Sequence, residues 1–266
     1  ARDLEVLELL GTDEAWDAGG LGVQRIAEIL KRDKGQISRV CQTLQATGLI
    51  NRDRHSRRYT LGHHLYALAM RTQEAHLALL ARPTLLDLMA RAEESAHLTG
   101  LRGGAIMTVH TELAQHPERD NSFDGVSIPA LKTASGRAIL STFTPDELSA
   151  WWEEHGEFRE QPETLRQRRP PETSIITTLR QKPGSIRSLS KLQRIARATK
   201  KARFAISDGE LTPNIVDAAA PLRNSQGLVV GAIAVGARST RIKDGFQSLG
   251  ALVKESAETL SWELGW

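Results

Sequence analysis

Residues 22–62, GVQRIAEILKRDKGQISRVCQTLQATGLINRDRHSRRYTLG, constrain this chain more than any other stretch. A helical apolar period there gives way to two short strand-like runs. Val23, Ile26, Ala27 and Leu30 mark the packing face of one helix, and Arg32-Asp33 supplies a tight turn. Ile37, Val40, Cys41 and Leu44 then follow at i, i+3, i+4 and i+7, which is one buried stripe of a second helix. Gly48 lies just past that stripe, where a left-handed stop belongs. Two runs, Leu49 to Arg52 and Arg57 to Leu61, flank the polar tip Asp53-Arg54-His55-Ser56 and read as a hairpin without an Asn-Gly or Asp-Gly turn signal. The pattern predicts a winged helix-turn-helix.

The second helix carries Gly35, Arg39, Gln42 and Ala46 opposite its apolar stripe, flanked by Gln36, Ser38 and Thr43. Long polar donors separated by small residues can enter a major groove about 12 Å wide, where arginine reads guanine and glutamine reads adenine. Arg39 and Gln42 are the expected base readers, with Gly35 allowing close approach and Gln36 and Ser38 on bases or phosphates. Lys34 stands at the helix start, where exposed N–H groups also favour a phosphate. An ordinary solvated helix face would look the same in isolation. Charge decides between them: nine Lys/Arg against three acidic residues lie between Gly22 and Thr60, an excess expected of phosphate contact. Arg52, Arg54, Arg57 and Arg58 place part of it on the wing. Double-stranded DNA is the expected partner.

A length of 266 residues favours two domains, and 40% hydrophobic with 25% charged residues is ordinary for a soluble globular chain. A net charge of +3 says little, so local clustering carries the argument. The single cysteine, Cys41, rules out a disulfide framework or a cysteine-based metal site within one chain. No apolar run approaches a membrane span of about 20 residues, and no secretory pattern is present. A cytoplasmic location is expected, with no membrane association.

Outside the helix-turn-helix, residues 2–11 predict a first helix packed through Leu4, Val6, Leu7 and Leu10, with Trp16 in a loop. A linker helix is expected over 63–81, broken or restarted at Pro83, and Thr84–Glu94 opens a second domain at 82–266. The DNA-binding domain is therefore 1–62. His97–Arg102 and Ile106–Glu112 alternate like strands around Gly103-Gly104. Thr133–Ser141, Pro145–His155, Ile186–Ala202 and Lys243–Glu263 read as helices; Ala205–Ser207, Ile215–Leu222 and Leu228–Gly236 read as strands. The class is α+β, an antiparallel sheet with packed helices. The turn Thr133-Ala134-Ser135-Gly136 opens a helix whose free N–H groups suit a ligand carboxylate. Equally, its small side chains suit close packing of a helix on a sheet. Residues 158–203 hold thirteen Lys/Arg and three acidic residues, with no role assigned.

Several segments together resemble IclR-type bacterial transcriptional regulators: ARDLEVLELLG, IAEILKRDKGQISRVCQTLQATGLI, RYTLG, IPALKTASGRAIL, RFAISDGEL and APLRNSQGLVVGAIAVG, in order. The resemblance implies a winged helix, a linker helix and a GAF-like effector domain, assembled as a homodimer or dimer of dimers. It also implies a pocket lined by the Thr133–Gly136 turn, the loop before it, Ser207-Asp208 and the strand ending near Asp217. The chain departs from the family where Asp217 replaces a frequent cysteine, and where Ala234 and Gly236 replace frequent serines. Asp217 weakens the family expectation of an organic acid and admits a hydroxylated aromatic ligand equally. A symmetric dimer implies a palindromic operator.

An enzyme with an accessory DNA-binding module is the competing reading. Ser188-Leu189-Ser190-Lys191 matches an S-x-x-K acylase motif, but S-D-N and K-T-G are absent from the sequence. His97, His110 and His116 are the one conceivable metal set. The expectation is no catalysis, no cofactor and no metal.

Overall fold

The computed structural model describes residues 3–115, 124–156, 186–242 and 246–266. It divides into two compact units, the first running to His76 and the second beginning at Leu77.

In the first unit, α1 (Leu4–Leu10), α2 (Asp13–Asp17), α3 (Val23–Leu30) and α4 (Lys34–Ala46) precede a two-stranded hairpin, β1 (Ile50–Arg52) and β2 (Tyr59–Leu61). Apolar stripes from all of them close one core: Val6, Leu9 and Leu10, then Ile26, Ile37, Cys41 and Leu44, sealed by Ile50 and Tyr59. Two sequence expectations fail here. Leu4 is exposed and Leu9 takes its place inside, because the buried face of α1 is turned one residue from the expected stripe. Trp16 sits on the short helix α2, not in a loop, and points to solvent.

The linker region differs as well. It forms two helices, α5 (His63–Ala69) and α6 (Gln73–Ala92), and α6 runs unbroken through Pro83. The expected break at Pro83 and the separate helix Thr84–Glu94 are therefore wrong. The interruption falls at residues 70–72, where Thr72 begins a new helix by accepting the Ala75 N–H. A proline costs a helix one internal hydrogen bond and crowds the previous turn. Burial of Ala81, Thr84, Leu85 and Leu88 on the sheet holds α6 together across it.

The second unit is built on a six-stranded antiparallel sheet in the order β5-β4-β3-β8-β7-β6. The strands are β3 (Ala96–Arg102), β4 (Ala105–Glu112), β5 (Ser127–Pro129), β6 (Ala205–Asp208), β7 (Ile215–Arg223) and β8 (Val229–Arg238). Two three-stranded meanders thus meet where the first strand of one pairs with the last of the other, β3 with β8. Helices α6 and α10 (Phe246–Glu263) pack on one face around Leu85, Leu88, Ile233, Val253 and Leu260. The connection between the meanders holds α7 (Ala134–Leu140), α8 (Pro145–His155) and α9 (Leu189–Ala202), of which α7 covers the opposite face. The α+β antiparallel architecture agrees with the sequence reading. Strand β5 and the 3-10 turn Ala130–Lys132 were not expected. Of the basic stretch 158–203, residues 158–185 lie outside the described residues, as do His116 and residues 243–245 of the expected last helix.

Candidate nucleic-acid interface and effector site

Helix α4 begins where Asp33 turns the chain. Its carboxylate accepts the Gln36 N–H at 2.9 Å and so caps an otherwise unsatisfied donor. The helix ends in a Schellman arrangement: Gly48 is left-handed at φ 72°, and Leu49 N–H reaches back to the Leu44 carbonyl. Between these stops Ile37 and Cys41 are fully buried, while Arg39 and Gln42 are exposed on the far side. Lys34 and Gly35 are also exposed, and Gln36 and Ser38 are half-buried at the edge of that face. Among the described residues, none pairs with the Arg39 guanidinium.

The hairpin obtains its turn from a side chain. Asp53 Oδ1 accepts from the N–H groups of His55 (3.1 Å) and Ser56 (2.7 Å) and from the Ser56 hydroxyl (2.8 Å). Those bonds hold its carboxyl below the usual carboxylate range. Arg57 then takes a left-handed φ of 60° to return the chain. The four wing arginines have different surroundings. Arg52 stacks over the Tyr59 ring at 5.1 Å and donates to the Arg57 carbonyl, so its charge is tied to the hairpin. Arg58 donates to the Ala18 carbonyl. Arg54 and Arg57 are exposed, with no side-chain partner among the described residues. Two more cations in the basic count are engaged elsewhere: Arg25 with Glu14 at 2.7 Å and Arg32 with Glu5 at 2.5 Å.

In the second unit the residues expected around a ligand fall into two sets. The first packs. Thr133 caps α7 by accepting the Gly136 N–H at 3.0 Å and donates to the Ala130 carbonyl. A Cβ on Gly136 would lie 2.0 Å from the Ala130 carbonyl oxygen, so only glycine fits there. Ala134 joins Ala138, Ala205, Ala219 and Ala234 in a small-residue layer that brings α7 close to the sheet. All seven residues of α7, Ser135 included, are buried.

The second set forms a polar row across three strands: Ser207 on β6, Asp217 on β7 and Gly236 on β8 are register partners. Ser207 is buried and donates to the Lys132 carbonyl at 3.2 Å. Asp208, the next residue along β6, points away and is exposed. Asp217 lies deep among protein atoms yet keeps some accessible surface. Burial pushes its carboxyl up to about 7; nearby Arg137 opposes that rise and Glu210 adds to it.

Arg137, Glu210 and Thr111 carry no signal in the sequence, and His97 reads there only as a conceivable metal ligand. Arg137 is 94% buried on α7, with Nη1 on the Ile206 carbonyl at 2.9 Å and Nη2 on the Glu210 carboxylate. A charge buried this deeply needs such a partner to offset its lost hydration. His97 on β3 pairs with Ala234 on one side and Thr111 on the other, its Nδ1 lying 3.1 Å from the Thr111 hydroxyl. His110 pairs with Leu98, the neighbour of His97, and so faces the other side of the sheet. The conceivable His97/His110 metal set is therefore incompatible with the fold. No group of potential ligands suited to a metal occurs among the described residues. Ser188 of the S-x-x-K motif is the N-cap of α9, accepting the Lys191 N–H at 3.3 Å.

Residues 69–262 match the family model described as bacterial transcriptional regulator IclR C-terminal. The chain belongs to the IclR family. Two curated relatives, glycerol operon regulatory proteins of Streptomyces coelicolor and Streptomyces griseus, are 32% and 31% identical over 150 residues, 54% of this chain. The match spans 58% of the length of those relatives. The fold is shared with an IclR of Thermotoga maritima (TM-score 0.72, 20% identity, 100% of this chain and 98% of that one). It is shared also with an IclR homologue of Microbacterium hydrocarbonoxydans complexed with 4-hydroxybenzoate (TM-score 0.77, 17% identity, 99% and 97% coverage). As in those IclR proteins, helices pack on an antiparallel sheet, and no helix among the described residues is long and apolar enough to cross a membrane.

Proposed function

We propose that this IclR protein is a sequence-specific, double-stranded DNA-binding transcriptional regulator whose operator affinity is set by a small molecule held in the second unit. The exposed, unpaired face of α4 carries the reading: Arg39 and Gln42 project from a rigid capped helix beside the free arginines of a hairpin. In the proposed complex Arg39 and Gln42 read bases. Lys34, Gly35, Gln36 and Ser38 approach bases or phosphates at the helix start, and Arg54 and Arg57 take flanking phosphates. Arg52 and Arg58 add to the positive field while staying on their intramolecular partners.

The effector is a small organic molecule, a polyol or hydroxylated aromatic, seated against Asp217, Gly236 and Ser207 beside α7. The names of the glycerol operon relatives support a polyol, and the phenolic hydroxyl of the 4-hydroxybenzoate bound to the Microbacterium homologue supports a hydroxylated aromatic, although that molecule also carries a carboxylate. The packed residues Thr133, Ala134, Ser135, Gly136 and Ala234 shape the site by bringing α7 close to the sheet. The chain works by binding, without catalysis or cofactor, in the cytoplasm. A homodimer, or a pair of them, on a palindromic operator fits α5, which buries none of its residues and exposes Tyr66 and Leu68, with Met70 exposed just past its end. For the effector to regulate, its affinity must differ between DNA-competent and DNA-incompetent states.

Selection of bound duplexes from a random library, followed by gel shift of the enriched sequence, tests this. A two-fold symmetric consensus is expected; retention of DNA without any enriched sequence would refute it.

A further inference from the structure

We propose that Asp217 selects the effector, accepting a hydroxyl or amine donor from a neutral or cationic small molecule and turning carboxylates away. This rests on the second unit being an effector site, as proposed above.

No side-chain bulges or register shifts occur between residues 215 and 222 of β7, so Asp217 shares a face with Ala219, and through the register with Ala234 and His97. That is the face covered by α7. Asp217 thus stands beside the alanine layer. The adjacent strands leave room for its carboxyl. On β8 the partner is Gly236, where a Cβ would come within 2.9 Å of Asp217 Oδ1. On β6 the partner is Ser207, whose hydroxyl is already committed to the Lys132 carbonyl.

No described residue donates a hydrogen bond to the Asp217 carboxyl, although it lies deep among protein atoms. A half-buried acceptor without a protein donor depends on solvent, and a ligand donor can take the place of that water. The accessible part of its surface is where such a donor would arrive.

Charge sets the ligand class. The groups around Asp217 are Arg137 from α7 and Glu210 from the loop after β6. Arg137 is matched at its two terminal nitrogens by the Ile206 carbonyl and the Glu210 carboxylate, while its Nε is buried without a partner among the described residues. With Asp217 ionised these three groups sum to one net negative charge, so a ligand carboxylate meets repulsion from them. A hydroxyl or ammonium group meets an acceptor. The His97–Thr111 pair lies on the same face, His97 two strands from Asp217, roughly 10 Å across at the usual strand spacing, and Thr111 one strand further.

The test uses the full chain at pH 8 and a fragment library divided into carboxylates, ammonium compounds and neutral hydroxyl compounds, read by ligand-observed NMR. Three proteins are compared: wild type, Asp217→Asn and Gly236→Ala, which keeps the carboxyl but displaces it. Ammonium and hydroxyl fragments are expected to dominate wild-type binding. The ammonium fragments should lose roughly tenfold or more in Asp217→Asn, as the loss of a charge-assisted hydrogen bond does, while carboxylates gain. Gly236→Ala should weaken the same fragments. Dominance of carboxylates on wild type, affinities unchanged within about twofold in Asp217→Asn, or no binding of any class would each overturn the proposal. Gel shifts with the enriched duplex separate the two claims. If Asp217-dependent fragments bind but none alters DNA affinity, the regulator reading fails and this one stands. If carboxylates alter DNA affinity regardless of Asp217, the reverse holds.

Discussion

Replacing Asp217 by asparagine should stabilise the second unit, and by more at high pH than at low. The carboxyl titrates at about 7 in the folded protein, against 3.8 for an unperturbed aspartate. Between those values the folded chain holds a proton that the unfolded chain has released. Stability therefore falls as pH rises through that window and levels off above it. Asparagine is neutral throughout and has nearly the same shape. Integrating the two titrations from pH 5 to pH 8 gives the variant an added advantage of roughly 2–3 kcal/mol. Urea unfolding of both proteins at pH 5, 6, 7 and 8 measures it. Four of the five tryptophans, Trp151, Trp152, Trp262 and Trp266, lie in the second unit, so their fluorescence reports the relevant transition. A stability difference between the two proteins that does not change with pH would refute the reasoning, and would mean that Asp217 is ionised and solvated in the folded state.

Other expectations follow from the first unit. Arg39→Ala or Gln42→Ala should cost roughly 1–3 kcal/mol on the preferred duplex and relax preference at one base position, seen by gel shift across single-base variants. Arg54→Ala and Arg57→Ala should instead weaken all duplexes alike and reduce the slope of log affinity against log salt by about one each. Ile37→Ala, which opens a cavity in the helix-turn-helix core, should lower its stability by about 2–5 kcal/mol in thermal or urea melts. Asp33→Ala removes the α4 cap and should cost about 1 kcal/mol by the same measurements.

The local pattern was legible wherever periodicity and caps agree. The stripe Ile37-Val40-Cys41-Leu44, the Asp33 turn and the Gly48 stop all locate α4 correctly, because each is a short-range constraint. The hairpin was legible too, although its turn depends on Asp53 rather than on an Asn-Gly pair. Helix α6 was misread because Pro83 is a strong local breaker, and only packing of Ala81, Leu85 and Leu88 against a distant sheet overrides it. The polar row on the sheet was half legible. Asp217 and Ser207 could be named from the segments that resemble the family. Arg137 and Glu210 could not, since their pairing joins residues 73 apart and no periodicity records it. His97 was noticed for the wrong reason: a histidine on a strand suggests a metal ligand until the register shows which face it occupies.

The central claim, that the outward face of α4 reads base edges, is tested most directly by duplex selection carried out in parallel with wild type and with Arg39→Ala/Gln42→Ala. The wild type should enrich a symmetric site, and the double variant should retain DNA through its wing and salt-dependent contacts while losing the consensus at the positions those side chains read. The same consensus recovered with both proteins would contradict the account.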